Sequence, residues 1–202
     1  FIFGRWVLGL VHAVNAIPEF LVWPCLSGRE SEHPFDQLGD IVAAAQERDL
    51  HLHMDGARLW NAVVATGIPA ERWAAPFDTT TFCLSKGLSC PIGSVVAGTS
   101  DFIQRARKIR RMVGGAMRQV GILAAAGLVA LDTMVDRLKD DHDNARHLAS
   151  GLSSFSGIHV DPEAVETNIV VFAVVDRDAE TVADALENSG VRVSRMGGPM
   201  LR

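Results

Sequence analysis

The chain has 202 residues, 48% of them hydrophobic and 21% charged, with a formal net charge of -5 and a pI near 5.8. That length holds one ordinary domain, or one and a half, with apolar residues enough for a core, and the acidic balance excludes the basic footprint of a nucleic-acid binder. Three cysteines, Cys25, Cys83 and Cys90, make neither a disulfide framework nor a metal site, so free thiols in a reducing cytoplasm are expected.

The chain opens on Phe1 rather than methionine and stops at Arg202, directly after Gly197-Gly198-Pro199-Met200-Leu201; both ends read as those of a piece of a longer protein. Residues 1–26 are rich in Ile, Val, Leu, Phe and Trp, but Arg5, His12, Pro18, Glu19 and Pro24 interrupt them short of the roughly 20 apolar residues a membrane span needs. They also lack the charged start and small-residue cleavage site of a signal peptide. Core strands or buried packing are expected there, and no membrane contact.

Over residues 35–48 the apolar positions Phe35, Leu38, Ile41, Val42 and Ala45 keep helical spacing, with Pro34 at the start, where a missing amide costs nothing. Residues 50–54 alternate in the period of a strand, which places Asp55 where that strand gives way to a loop. The strand pattern returns over residues 80–84, just before Ser85-Lys86, and again over residues 92–97.

Ser100-Asp101 then caps a basic helix through Arg105, Arg107, Lys108, Arg110 and Arg111, ending near Gly114-Gly115. A solvated face accounts for that run better than anion binding does. A further helix follows with Arg118 and Gln119 in its early turn, and its small residues Gly121, Ala124, Ala125, Ala126 and Gly127 suit close packing. The amphipathic pattern of residues 138–152 predicts a long connecting helix, with a boundary near Val135 that divides the chain into domains 1–134 and 135–202. The second of these reads as strand (169–175), helix (178–188) and extended segment (191–194), a small α+β lobe. His51 and His53 share a strand face, where packing outweighs metal binding, and no cluster has metal-ligand spacing; no metal is predicted.

Lys86 and Asp55 carry the chemistry. Each follows a short apolar strand, at the strand carboxyl end where ligands gather in open α/β sheets. A lysine that condenses with an aldehyde cofactor needs a confined, partly desolvated pocket. A carboxylate fixed at a strand end, for its part, keeps a pyridine nitrogen protonated. Together the two residues predict a pyridoxal 5'-phosphate site.

Three motifs in order then carry a resemblance: His53-Met-Asp-Gly-Ala-Arg58-Leu-Trp-Asn-Ala62; Ser85-Lys86-Gly-Leu88 with Pro91-Ile-Gly-Ser94; and Gly114-Gly-Ala-Met-Arg-Gln119. From about His33 to Arg202 the chain resembles the low-specificity L-threonine aldolases of the aromatic amino acid beta-eliminating lyase/threonine aldolase superfamily. The resemblance implies an α/β fold of the aspartate aminotransferase-like, fold type I class of PLP-dependent transferases, here an incomplete large domain plus a small α+β carboxyl-terminal domain. It implies Lys86 as the Schiff-base lysine, Asp55 as partner of the pyridine nitrogen, Arg58 beside cofactor and substrate, and Arg202 as a clamp on the substrate carboxylate, a role that suits its planar fork.

The implied activity is cleavage of L-threonine or a related β-hydroxy-α-amino acid to glycine and an aldehyde, in a homodimer or homotetramer. The first thirty residues do not resemble the family's corresponding segment. Its glycine-rich phosphate turn and ring-stacking histidine have no equivalent, His12 and His33 included, which predicts weakened cofactor affinity. Two other readings stand beside this one: a noncatalytic homologue kept for assembly, and another fold type I lyase or aminotransferase sharing the lysine and aspartate.

Overall fold

The structure, a computed structural model, describes residues 34–202; the expectations placed on residues 1–26, on His12, His33 and Cys25 lie outside them. The described residues fall into two compact units, 34–138 and 139–202.

In the first unit, helix α1 (Pro34–Gln46) leads to strand β1 (His53–Asp55). The alternation expected from residue 50 holds in burial only from Leu52, with Leu52 and Met54 inside and His53 and Asp55 half-buried on the other face, whereas Leu50 is exposed. Strand pairing itself covers only the last three residues and includes Asp55, because β2 (Thr79–Cys83) begins opposite His53. Leu52 still meets the approach to β2, its carbonyl accepting the Asp78 and Thr79 N–H at 3.0 and 3.3 Å and its N–H donating to the Asp78 carboxylate at 2.7 Å, but residues 50–52 form no strand. Helices α2 (Leu59–Thr66) and α3 (Ala70–Ala74) cross from β1 to β2, which run parallel. Gly67 closes α2 in the left-handed region, with φ 69° and its N–H donating to Val63 O, the usual glycine stop. Strand β3 (Ser94–Gly98) pairs antiparallel with β2, so the sheet order is β1-β2-β3.

The buried face of the sheet is apolar. Met54 packs with Leu38 of α1, Leu59 of α2 and Trp73 of α3, and Phe82 extends this cluster to a second one formed by Leu84, Leu88, Cys90, Ala130 and Leu138. Burying one such side chain is worth roughly 1.5–3 kcal/mol, which gives the short strands a fixed seat.

Helix α4 (Ser100–Met112) carries the basic run, fully on the surface, with no buried residue. Its cap is Thr99, whose hydroxyl accepts the Phe102 N–H, rather than the predicted Ser100-Asp101. Thr99 is the residue with extended backbone, as a cap position requires, while Ser100 is already helical. Helix α5 (Gly121–Thr133) starts later than expected, so Arg118 and Gln119 lie in the turn before it. Gly127 of α5 would place a Cβ 3.0 Å from the Leu84 side chain, the close packing anticipated for its small residues. Ile122, Leu128 and Val129 face outward, and Met112 and Val113 are exposed at the end of α4.

The second unit comprises most of α6 (Leu138–Leu152), β4 (Ile158–His159), a 3-10 turn (Pro162–Ala164), β5 (Phe172–Val174), α7 (Ala179–Asn188) and β6 (Met200–Leu201). Its sheet has the order β4-β5-β6, antiparallel throughout. Phe172, Val174, Ala179, Ala183 and Leu201 form its core. Residues 191–194 are not a strand as predicted. Of them Ser194 exchanges N–H···O bonds of 2.7 and 2.9 Å with Arg202, across a turn made by Gly197 and Gly198, both at positive φ.

Candidate active site

The Asp-Gly-Ala-Arg sequence forms its turn through hydrogen bonds that its residue types permit. Gly56 donates to Thr81 O at 2.7 Å, extending the ladder one step past β1, and its missing side chain allows that approach: a Cβ there would lie 2.6 Å from the same oxygen. The Asp55 carboxylate accepts the Ala57 N–H through Oδ1 at 3.1 Å, an Asx turn that fixes the carboxylate at the strand end. Leu59 then donates to Gly56 O at 2.8 Å and starts α2. Arg58 is half-buried on this turn.

Lys86 lies on the loop after β2. Leu84 donates to Gly93 O at 2.9 Å, Cys90 to Leu84 O at 3.1 Å and Ser89 to Lys86 O at 2.9 Å, with Ser89 at φ 60°. These bonds, with Leu84, Leu88 and Cys90 buried, tie the loop down while Ser85 and Lys86 stay exposed. Asp55 and Thr81 are register partners on parallel strands, so Lys86 follows five residues after the position beside Asp55. Carboxylate and amine thus belong to the carboxyl edge of one sheet. The expected confinement of Lys86 is not met among the described residues, since its neighbours Ser85 and Ser89 are exposed too.

Arg202 is in the second unit, exposed, with its backbone locked to Ser194. Cys83 and Cys90 are free thiols. Among the described residues no three His, Cys, Asp or Glu side chains gather as metal ligands, and no helix is long and apolar enough to cross a membrane. His51 is exposed, 3.4 Å from the Asp78 carboxylate, whereas His53 is half-buried and shares a 2.7 Å hydrogen bond with Thr79 Oγ1. Burial holds the His53 imidazole below its usual range, against the opposing field of Asp55. Sequence reading missed this His53–Thr79 pair: its signal, hydroxyls at period two in Thr79-Thr80-Thr81, has meaning only once the parallel register is known.

An α/β unit followed in sequence by a small α+β unit, together with likeness to solved structures and a family match, places the chain in fold type I, the aspartate aminotransferase-like class. The structure matches one from Exiguobacterium sp. 255-15, provisionally assigned as an aromatic amino acid beta-eliminating lyase/threonine aldolase, with a TM-score of 0.71 at 25% identity, over 83% of this chain and 49% of that one. A structure from Listeria monocytogenes EGD-E shares the fold with a TM-score of 0.68 at 24% identity, over 83% of this chain and 48% of that one.

In sequence, residues 31–175 match the model of the beta-eliminating lyase family, and the chain belongs to that family. It is 40% identical over 181 residues to low-specificity L-threonine aldolase 1 of Arabidopsis thaliana, covering 88% of this chain and 49% of that protein. It is likewise 40% identical over 169 residues to the low specificity L-threonine aldolase of Escherichia coli (strain K12), covering 84% and 49%. The chain thus spans about half the length of the curated relatives it matches.

Proposed function

We propose that this chain is part of a pyridoxal 5'-phosphate-dependent lyase of amino acid metabolism, cleaving L-threonine or a related β-hydroxy-α-amino acid to glycine and an aldehyde. The observation that carries the reading is the pairing of Asp55 and Lys86 at the carboxyl ends of adjoining strands, inside a segment akin to proteins named L-threonine aldolases. The donor set fits the cofactor's ring and aldehyde: a primary amine for the aldehyde, and an anion for a protonated nitrogen. Pyridoxal phosphate, when bound, supplies an electron sink for the electrons released as the bond from the alpha to the beta carbon opens.

The chain's own residues do the rest. Lys86, exposed on a loop anchored by Leu84, Leu88 and Cys90, offers its amine for attachment. Asp55, its carboxylate fixed by the Ala57 N–H, holds a proton on the ring nitrogen. Arg58 stands on the adjoining turn, beside cofactor and substrate. Arg202 binds the substrate carboxylate in a two-pronged pair and so orients the bond to be broken. The exposed apolar residues Ile122, Leu128 and Val129 support burial against further protein, in a homodimer or homotetramer. The free thiols support a cytoplasmic location.

The test is to mix the chain with pyridoxal phosphate, record visible absorption, reduce with borohydride and map the modified peptide by mass spectrometry. A band with label on Lys86, lost in Lys86→Ala, is expected, with glycine and aldehyde then assayed from L-threonine. No band, or label scattered over several lysines, would refute cofactor attachment here and favour the assembly-only reading. Attachment with other products would favour another lyase or an aminotransferase.

A further inference from the structure

The sheet of the first unit has one polar face. Side chains alternate along a strand and register partners share a face, so His53 and Asp55 of β1 lie on the same side as Thr79, Thr81 and Cys83 of β2 and Ser94, Val96 and Gly98 of β3. The opposite side carries Met54 and Phe82 into the core. A half-buried histidine on the polar face, two residues behind a carboxylate at the strand end, is not needed for packing: a β-branched residue would suit the strand better. Its imidazole is nonetheless fixed, with Nδ1 2.7 Å from the Thr79 hydroxyl on the register partner.

We propose that His53 is a positioning residue for Asp55: the Thr79 hydroxyl holds its imidazole on the face that bears the carboxylate, where its charge state sets how strongly Asp55 pairs with a protonated ring nitrogen. The inference rests on the cofactor reading above. β2 and β3 bring no charged side chain to this face; of their residues there, only Cys83 carries a titratable group. Asp78, before β2, is engaged elsewhere by the Leu52 N–H at 2.7 Å and by His51. Asp55 is the charged group whose field acts on His53. At neutral pH the imidazole is neutral, because burial disfavours its charged form, and the carboxylate keeps its full negative charge for the ring. On acidification the imidazolium competes with the ring nitrogen for the same anion, so the pairing weakens.

Two measurements test this. Imidazole NMR of the chain without cofactor follows the His53 titration in wild type, Asp55→Asn and Thr79→Val. The Asp55→Asn midpoint is expected to move further down, since the field that opposes burial is removed, and Thr79→Val to change the midpoint by freeing the ring. Unchanged midpoints in both would overturn the coupling whether or not cofactor binds.

In the pyridoxal phosphate-loaded protein, the visible band is expected to change with pH around the His53 midpoint. In His53→Gln, which retains a polar group but does not titrate, the band should persist with that step lost. A band whose pH profile is the same in both proteins would overturn the proposal alone. A wild-type chain with no Lys86-linked band overturns the cofactor reading and the role of His53 with it.

Discussion

Replacing Gly56 by alanine should do more harm than any single loss of a surface contact in the first unit, and the amount can be worked from the geometry. The added Cβ would lie 2.6 Å from Thr81 O and 3.2 Å from Leu59 Cβ. Thr81 O is a backbone atom in the middle of β2, bonded by Gly56 N–H at 2.7 Å, so it cannot swing aside. Reaching ordinary contact at 3.4 Å requires the strand end to retreat by about 0.8 Å. That movement forfeits the Gly56–Thr81 bond, about 0.5–1.5 kcal/mol, and adds overpacking strain of about 1–3 kcal/mol. A total near 2–4 kcal/mol corresponds to a drop in Tm of roughly 5–15 °C for a protein of this size. Circular dichroism melts of Gly56→Ala against wild type measure it. Gly39→Ala, on the exposed side of α1 with nothing within 4 Å, is the control and should be neutral or stabilising by up to about 1 kcal/mol. A Gly56→Ala melt within about 1 °C of wild type would refute the argument that this glycine exists to admit β2.

Stability should fall as pH drops below about 6.5. Burial, chiefly, holds both His53 and His142 below the imidazole value of 6.5, with Arg146 adding to the effect at His142. The unfolded chain therefore binds more protons than the folded one in the window beneath 6.5, and stability rises with pH across it. Asp143, lowered first by its hydrogen bond from Lys139, and Asp178, lowered first by the Thr181 N–H, add their loss only below about 3.8. Urea midpoints at pH 7.5 and pH 5 separate these windows, and an equal or higher midpoint at pH 5 would contradict the assignment. In the second unit, Arg195 bonds Glu180 at 2.7 Å and also Asp184, two carboxylates one turn apart on α7. Arg195→Gln should leave those charges to repel and speed amide exchange at Ser194 and Arg202, with the difference closing at high salt, where exposed ion pairs are screened. Equal exchange at low salt would show that the hairpin holds without it.

What could be read before folding depended on how local the signal was. Helices α1, α6 and α7 follow from spacing alone, since their apolar stripes are set within a few residues. The places of Asp55 at a strand's carboxyl end and of Lys86 after one were also legible, because a run of alternation ending in Asp-Gly or Ser-Lys-Gly is a local pattern, although Asp55 proves to be the last residue of its strand. Strand limits were not, because a strand exists only where a partner ladder lies beside it: residues 50–52 alternate in sequence as well as 53–55 do, yet the ladder with β2 begins at His53–Thr79, and Leu52 is held by Asp78 and Thr79 outside it. The same dependence hid the role of Gly56, whose neighbour Thr81 is 25 positions away in sequence. It also hid His53, which looks like half of a surface pair with His51 until the register sets it against Thr79 and beside Asp55. The exposure of Lys86 belongs to this class too. Sequence specifies the lysine and the buried residues that hold its loop, Leu84, Leu88 and Cys90, whereas confinement of an amine depends on chain far from residues 84–93, which no local pattern displays.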